Sequence, residues 1–390
     1  MTPSPAWNTL DSLDAEEKRV LVRCDFNVPL SEENGKRRIA DDTRIRAVLP
    51  TIERLRASGA RSILASHLGR PKGKPNPAYS LAPVAERLTE LLGADVPLAP
   101  DCIGKRVASM AEGLGPGGFL LLENLRFHAG EESNDAEFAR ELAAQADAYV
   151  NDAFGCSHRA HASVAGIVDH LRPAVAGLLL DKELQMLGGL LEAPERPFVA
   201  ILGGDKVSDK LGVIESLMKR VDRILIGGAM AFTFLKAKGH EVGNSLVEEG
   251  MIESALRLLR AFEESPCEMV LPVDCVAAEK FAADADHRTV DLDEIPDDWM
   301  GLDIGPESAA RFAEALADAR TIIWNGPMGV FEMDAFSRGT FAVAECVASS
   351  DAATFIGGGD TDSAIHQAGA ADRVSFISTG GGAFLELLEG

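Results

Sequence analysis

The chain has 390 residues, enough at roughly 100–200 residues per domain for two domains. It is 46% hydrophobic and 25% charged, with ordinary glycine and proline usage, which excludes collagen-like and low-complexity chains; no apolar run approaches the ~18–20 residues that span a bilayer. The net charge of −23, from 38 basic against 61 acidic residues, disfavours nucleic acid and anionic membranes as partners.

The start, MTPSPAWNTLDSL, has no basic stretch leading into an apolar one, so no secretory leader is expected. In chain order, short apolar runs begin at VLVRCDFNV (Val20 to Val28), SILASH (Ser62 to His67), FLLLENL (Phe119 to Leu125) and AYVNDAF (Ala148 to Phe154). They continue at FVAILGG (Phe198 to Gly204), RILIGGA (Arg223 to Ala229), MVLPVDCV (Met269 to Val276), TIIWNG (Thr321 to Gly326), TFIGGG (Thr354 to Gly359) and VSFISTGGG (Val374 to Gly382). Between them lie helical patterns such as TRIRAVLPTIERLRASG, SLAPVAERLTELLG, DAEFARELAAQA, LGVIESLMKRV and PESAARFAEALADA. Strands alternating with helices predict an α/β fold, and ten strands fit two doubly wound, Rossmann-like parallel sheets of similar size. The boundary is expected in RPAVAGLLLDKELQMLGGLLEAPERPF, a long helix ending in Pro194 and Pro197. The expected division is an N-terminal lobe over 1–172, an interdomain helix and hinge over 173–197, a C-terminal lobe over 198–372, and a last strand and helix over 373–390. The six dispersed cysteines have no CxxC pair and read as reduced, mostly buried fillers of a cytoplasmic protein.

Ligands of such folds bind beyond the carboxyl ends of the strands, and the two halves end their strands differently. The first half ends in polar and basic groups: Asp25-Phe26-Asn27, His67-Leu68-Gly69-Arg70, Asn124-Leu125-Arg126 and Asn151-Asp152, with His158-Arg159 beyond and Arg44 at a helix start. Four arginines and a histidine there suit an anion, because guanidinium forks match carboxylate and phosphate oxygens. Any one arginine alone could equally be a surface ion pair. The second half ends in glycine: Gly203-Gly204, Gly227-Gly228, Gly326, Gly357 to Gly359 and Gly380 to Gly382. Such turns let phosphate approach helix N-termini. No Walker A motif is present, and the GxGxxG string at Gly113 to Gly118 precedes an apolar run instead of following one and opening a helix. Lys206 and Lys210, spaced i, i+4, are expected on one face of a helix opening after Gly204. Asp360 could hold Mg²⁺ on a nucleotide, and Glu332 could accept from ribose hydroxyls; either could also be an ordinary cap or surface charge. The sequence shows no GxSxG, no HExxH and no suggestive Cys/His pair, which fits phosphoryl transfer by positioning and charge neutralisation.

With RCDFNVPL, SHLGRP, ENLRFH, YVNDAFG, SHRAHAS, PERPFVAILGG, GGAMAFTFLKA, WNGPMGVFE, IGGGDT and STGGGAFLELLEG in order, the chain resembles the phosphoglycerate kinases from about Val20 to its last residue. The resemblance implies reversible phosphoryl transfer between 1,3-bisphosphoglycerate and ADP, giving 3-phosphoglycerate and ATP with Mg²⁺, by a cytoplasmic monomer whose lobes close on a hinge. It implies a substrate site of Asp25, Phe26, Asn27, Arg44, His67, Leu68, Gly69, Arg70, Arg126 and Arg159. It implies a nucleotide site of Gly203, Gly204, Asp205, Lys206, Lys210, Gly227, Gly228, Gly301, Asn325, Pro327, Glu332, Gly358, Gly359, Asp360 and Thr361, with Asp360 on the metal. Arg44, Lys206, Gly381 and Gly382 would act on the phosphoryl group in flight. Three departures stand out: Asp205 where Ala or Ser is usual, Asp362 where a small or apolar residue is common, and an end about ten residues short of the family's usual one. Rival readings are a catalytically silent nucleotide-binding paralogue and a two-lobe solute-binding protein.

The acidic excess has two readings, adaptation to a salty interior or solubility alone. Melting curves separate them: a melting temperature that rises from low to molar KCl marks the first, because screening relieves self-repulsion, and a flat or falling one marks the second.

Overall fold

Strands buried on both faces need helices on both sides, and the apolar runs of the sequence receive them. The structure, a computed structural model, describes residues 6–33 and 35–390. It divides into two compact units, Met1–Leu187 and Gly188–Gly390.

The first unit runs β1 (Arg19–Arg23), β2 (Leu30–Glu33), β3 (Lys36–Ile39), α1 (Thr43–Ala57), β4 (Arg61–Ala65), α2 (Ala82–Leu92), α3 (Lys105–Glu112) and β5 (Phe119–Leu121). It continues with α4 (Ala129–Glu132), α5 (Ala136–Ala143), β6 (Ala148–Asn151), α6 (Phe154–Ser157), β7 (Ala174–Ala176) and α7 (Leu178–Glu192). Its parallel sheet has the order β5-β4-β1-β6-β7. The helices pack by their apolar stripes: α1 buries Ile45, Val48, Ile52 and Leu55, at the i, i+3, i+4 spacing of one face. Register sets the height of the strand ends: Arg23 lies opposite Ala65 on one side and Asn151 on the other. The loops after β1, β4 and β6 therefore open at one level.

The second unit runs β8 (Phe198–Leu202), α8 (Leu211–Leu217), β9 (Arg223–Ile226), α9 (Met230–Ala237), α10 (Ile252–Glu263), β10 (Glu268–Val270), β11 (Asp274–Ala278), β12 (His287–Asp291) and β13 (Met300–Ile304). It ends with α11 (Pro306–Leu316), β14 (Thr321–Asn325), α12 (Arg338–Ser349), β15 (Ala353–Gly357), α13 (Gly359–Gln367), β16 (Phe376–Ile377) and α14 (Gly381–Glu389). Its main sheet has the order β10-β9-β8-β14-β15-β16. The connections leave β8 toward one edge and β14 toward the other, so the pair marks the topological switch point.

Two parallel-sheet units were expected; three features were not. MVLPVDCV is two strands in two sheets, because Pro272 interrupts the run: β10 closes the main sheet, and β11 joins a three-stranded antiparallel sheet, β12-β11-β13. The hairpin β2-β3 is polar, and only the Asn34-Gly35 pair in the sequence announces it. The strands β12 and β13 escaped a search for long apolar runs. All six cysteines are free, five of them buried. No helix among the described residues is long and apolar enough to cross a membrane.

The two units divide within α7, after Leu187. The start of that helix is tied to the first unit. Leu178 N donates to Thr51 Oγ1 at 2.9 Å, and Leu179 N and Leu180 N donate to Asp152 Oδ1 at 2.9 and 3.1 Å. Three otherwise unpaired helix-start donors are thereby satisfied. Burial pushes the Asp152 carboxyl up to about 6 against those same hydrogen bonds. Asp152→Ala should cost about 1–2 kcal/mol, the scale of a lost N-terminal cap. Asp152→Asn, which keeps the acceptor oxygen, should cost much less; denaturant melts of the two variants at pH 7 check this.

Candidate functional site

The loops at the strand ends of the first unit are stitched by hydrogen bonds among the basic residues. Arg44 Nη1 donates to Asp25 Oδ2 at 3.0 Å and to the Asn27 carbonyl at 3.3 Å. Asn27 Oδ1 accepts from Gly69 N at 2.9 Å, and Arg126 Nη1 donates to the Gly69 carbonyl at 2.9 Å. Asp25, Asn27, Arg44, Gly69 and Arg126 thus form one connected set. Arg44 is not paired with Asp41 or Asp42, its neighbours at the helix start; Asp42 takes Arg46 and Arg87 instead. Phe26 and Leu68 are buried, so only their backbones border the loops. Arg70 and Arg159 are exposed, and the charge of Arg159 acts on Arg126 and His161.

Beneath this layer lies a residue that sequence reasoning missed. Arg23 is fully buried in β1; it donates from Nε to Ser163 Oγ at 2.8 Å and from Nη1 to the Cys24 carbonyl. Its Nη2 lies 3.3 Å from His67 Nδ1. A guanidinium can only donate, so Nδ1 must accept and the His67 proton sits on Nε2. His67 therefore enters the pocket as a neutral donor, and burial together with the charges of Arg23, Arg126 and Arg44 holds its pKa well below the ordinary value. The Arg23 charge is balanced by Glu131, also fully buried, 3.9 Å away and itself held by Ser163 N and Oγ at 3.0 and 2.6 Å. The available signal was a charged residue inside the apolar run VLVRC.

In the second unit the switch point is built from crossed backbone bonds. Gly203 N donates to the Asn325 carbonyl, Gly204 N to the Pro327 carbonyl and Gly228 N to the Met328 carbonyl, at 2.9, 3.0 and 3.1 Å. Glycine is required where these loops meet: a Cβ on Gly228, whose φ is +67°, would stand 2.5 Å from Gly204 N. Asn325 Nδ2 donates to the Gly357 carbonyl at 2.8 Å, and Thr361 Oγ1 accepts from Gly326 N at 2.6 Å, joining the Gly358-Gly359 turn to the same cluster. A Cβ on Gly381, at the start of α14, would come within 2.9 Å of Gly358 Cα, so those two turns also touch. Gly382 lies in the first turn of α14, and Gly227 is buried against Met328.

These turns rim a cavity of about 570 Å³ whose lining includes Asp205, Gly301, Glu332 and Asp360, together with Gly204, Gly228 and Pro327. Its apolar wall, Phe232, Leu302 and the exposed Leu246 and Phe281 among others, was not foreseen, because it comes from a helix, an antiparallel strand and connecting loops rather than from the ends of the parallel strands.

The lysine pair corrects the expectation. No helix opens after Gly204; α8 begins only at Leu211, and Lys210 is its N-cap. Glu248 accepts from Val207 N and from Ser208 N and Oγ and holds the intervening loop open. Lys206 is consequently exposed, whereas Lys210 is buried with its Nζ donating to the Gly203 carbonyl. Burial pulls Lys210 down to about 8 against the charges of Asp205, Asp360 and Asp209. Asp362 pairs with His366 at 2.9 Å, one turn along α13.

The comparisons with known proteins agree with this geometry. A family model described as "Phosphoglycerate kinase" matches residues 10–390. A phosphoglycerate kinase of Geobacter metallireducens is 57% identical over 373 residues, 96% of this chain and 93% of that protein. One of Synechococcus elongatus is 57% identical over 385 residues, 98% of this chain and 95% of that protein. Among solved structures, the phosphoglycerate kinase of Coxiella burnetii superposes with a TM-score of 0.86 at 41% identity, and that of Pyrococcus horikoshii with 0.85 at 32%, each over 98% of this chain and 96% of the other. Fold and strand ends together define an α/β kinase built on two parallel-sheet units. The chain belongs to the phosphoglycerate kinase family.

Asp303 lies in the cavity wall, buried, with its carboxylate accepting from Gly339 N at 2.7 Å and Ile304 N at 3.0 Å. Burial raises its pKa to about 8. A carboxyl whose pKa is higher folded than unfolded stabilises the fold at low pH, and that stability is lost as pH rises through about 8. Asp303→Asn removes the titrating carboxyl. Its melting temperature relative to the wild type should climb between pH 6 and about 9, and parallel thermal melts across that range check this.

Proposed function

We propose that the chain transfers a phosphoryl group reversibly between the acyl phosphate of 1,3-bisphosphoglycerate and ADP, giving 3-phosphoglycerate and ATP, as the glycolytic reaction of its family. The observation that carries the reading is the division of chemistry between the units. One gathers Arg44, Arg126 and the neutral donor His67 around Asp25 and Asn27; the other surrounds an apolar-walled cavity with glycine turns and carboxylates.

A phosphorylated glycerate is a small polyanion, and the first set suits it: arginines for phosphate and carboxylate, His67 Nε2–H and Asn27 for hydroxyl and carbonyl oxygens. Arg70 and Arg159, exposed near these loops, add positive charge. A nucleotide suits the second: its base against Phe232 and Gly301, its ribose at Glu332, its phosphates toward Gly204, Lys206 and the turn Gly358 to Thr361. Asp360, an exposed carboxylate on the cavity rim, fits Mg²⁺ carried by that nucleotide, since the ion takes hard oxygen donors. When bound, the ion neutralises charge on the phosphates. Transfer itself needs no protein nucleophile, only alignment and neutralisation, and these roles fall to Arg44, Lys206 and the N–H groups of Gly381 and Gly382. The hinge is assigned to 173–197. Each ligand set comes from one unit's own loops and needs no second copy, and free cysteines suit a reducing compartment, so we read a cytoplasmic monomer. A coupled assay for 3-phosphoglycerate-dependent ATP consumption tests the reading; no consumption above the blank sinks it.

Arg44 and Arg126 should separate kinetically. Arg44, at the start of α1 and partly exposed, is bonded to Asp25 and Asn27 through Nη1, which leaves its other donors for the group in flight; its removal should lower kcat on the order of 10²–10³, with little change in nucleotide KM. Arg126, buried against Gly69 and paired with Glu132 at 3.1 Å, holds the non-transferring end, so Arg126→Ala should raise the phosphoglycerate KM more than it lowers kcat. Steady-state kinetics with melting curves as folding controls decide; Arg44→Ala at more than about a tenth of the wild-type rate would refute its role.

A further inference from the structure

Two clusters in the first unit bring a thiol, an imidazole nitrogen and a carboxylate oxygen within 4.8 Å of one another: Asp25, His67 and Cys156, and Asp101, Cys102 and His128. The first is electrostatically closed to a cation. Arg23 occupies the His67 Nδ1 lone pair that a metal would need, and Arg44 and Arg126 add positive charge.

The second cluster has the opposite surroundings. The charges that act on Cys102 Sγ are those of Asp101, Glu131 and Glu123, all acidic. His128 stacks on Phe138, with ring centroids 4.8 Å apart and planes at 22°, which fixes its ring. Its Nε2 stands 2.6 Å from Asp101 Oδ1. The same carboxylate oxygen accepts from Cys102 N at 2.6 Å, so carboxylate and cysteine backbone are held together. Cys102 Sγ donates to the Glu123 carbonyl oxygen at 2.9 Å, placing a fourth donor beside the three. Cys102 is buried, while the side chains of His128 and Asp101 are 28% and 50% exposed, so an ion can enter from solvent past these two. Tetrahedral Zn²⁺, with bonds of about 2.0–2.3 Å, needs its donors roughly 3.4–3.8 Å apart, within about 1 Å of what is already there.

We propose that Cys102 Sγ, His128 Nε2 and the Asp101 carboxylate form a binding site for a borderline-soft divalent cation of the Zn²⁺ type, with the Glu123 carbonyl oxygen as fourth donor. On binding, the Cys102 S–H bond breaks, its proton passes to solvent, and a metal–thiolate bond forms without change of oxidation state. The proton on His128 Nε2 that bridges to Asp101 moves through solvent to Nδ1, and the freed Nε2 lone pair and the carboxylate then both donate to the ion. The site adjoins Arg126, two residues before His128, but does not depend on the role of that arginine.

The test titrates Co²⁺ into the reduced, chelator-treated full chain, because a cobalt–thiolate bond gives a near-ultraviolet charge-transfer band and a four-coordinate ion gives intense visible bands. One equivalent should produce both. Calorimetry with Zn²⁺ in two buffers of different ionisation enthalpy should read proton release. Cys102→Ser and His128→Gln should each lose the charge-transfer band or its tight, stoichiometric appearance. Absence of the band in the wild type overturns the site. So does a band that survives in Cys102→Ser and disappears in Cys156→Ser, which would put the ion at the other cluster. If Cys102→Ser does not fold, His128→Gln, at a partly exposed position, still decides: an unchanged band there refutes the proposal.

Discussion

A parallel strand buried on both faces has no solvent side, so it can carry polar groups at little cost only where it ends. That constraint organises this chain. In the first unit the middles of β1, β4, β5 and β6 are apolar, and Asp25, Asn27, His67 and Arg126 all come after the last paired residue. In the second, β8, β9, β14 and β15 run straight into glycine. Because register aligns Leu202 with Asn325 and Asn325 with Gly357, three of those glycine turns meet side by side, and their backbone N–H and carbonyl groups satisfy one another.

Arg23 is the exception, and what surrounds it shows the cost. A guanidinium inside a parallel strand demands a partner for each face. The structure supplies Ser163, the Cys24 carbonyl, His67 and, at 3.9 Å, the equally buried Glu131. Removing either charge from so dry a place would strand the other. The same arrangement fixes the His67 tautomer, so a structural ion pair sets the chemistry of a buried ring at the end of β4.

Charge is handled differently in the second unit. Asp303 and Lys210 are buried with only backbone partners, and burial moves each toward its neutral form. The exposed charges, Asp205, Lys206, Glu332 and Asp360, stay outside the packed turns. The loop that carries Lys206 owes its shape to Glu248, more than forty residues away.

Much was legible in the sequence, and for physical reasons. Apolar runs alternating with 3.6-periodic segments determined two parallel-sheet units, and the residues that end those runs marked both candidate ligand sets, because strand ends are where polar groups must go. The tertiary structure decided what depends on partners distant in sequence. It turned Lys210 inward and Lys206 outward, since Glu248 and the Gly203–Asn325 crossing, not helical periodicity, shape that loop. It split MVLPVDCV between two sheets at Pro272 and raised the apolar cavity wall from α9 and β13. It also made Arg23 a buried partner of His67 and set Cys102 beside His128. A local pattern encodes which face of an element is buried; it does not encode which far segment arrives to bury it.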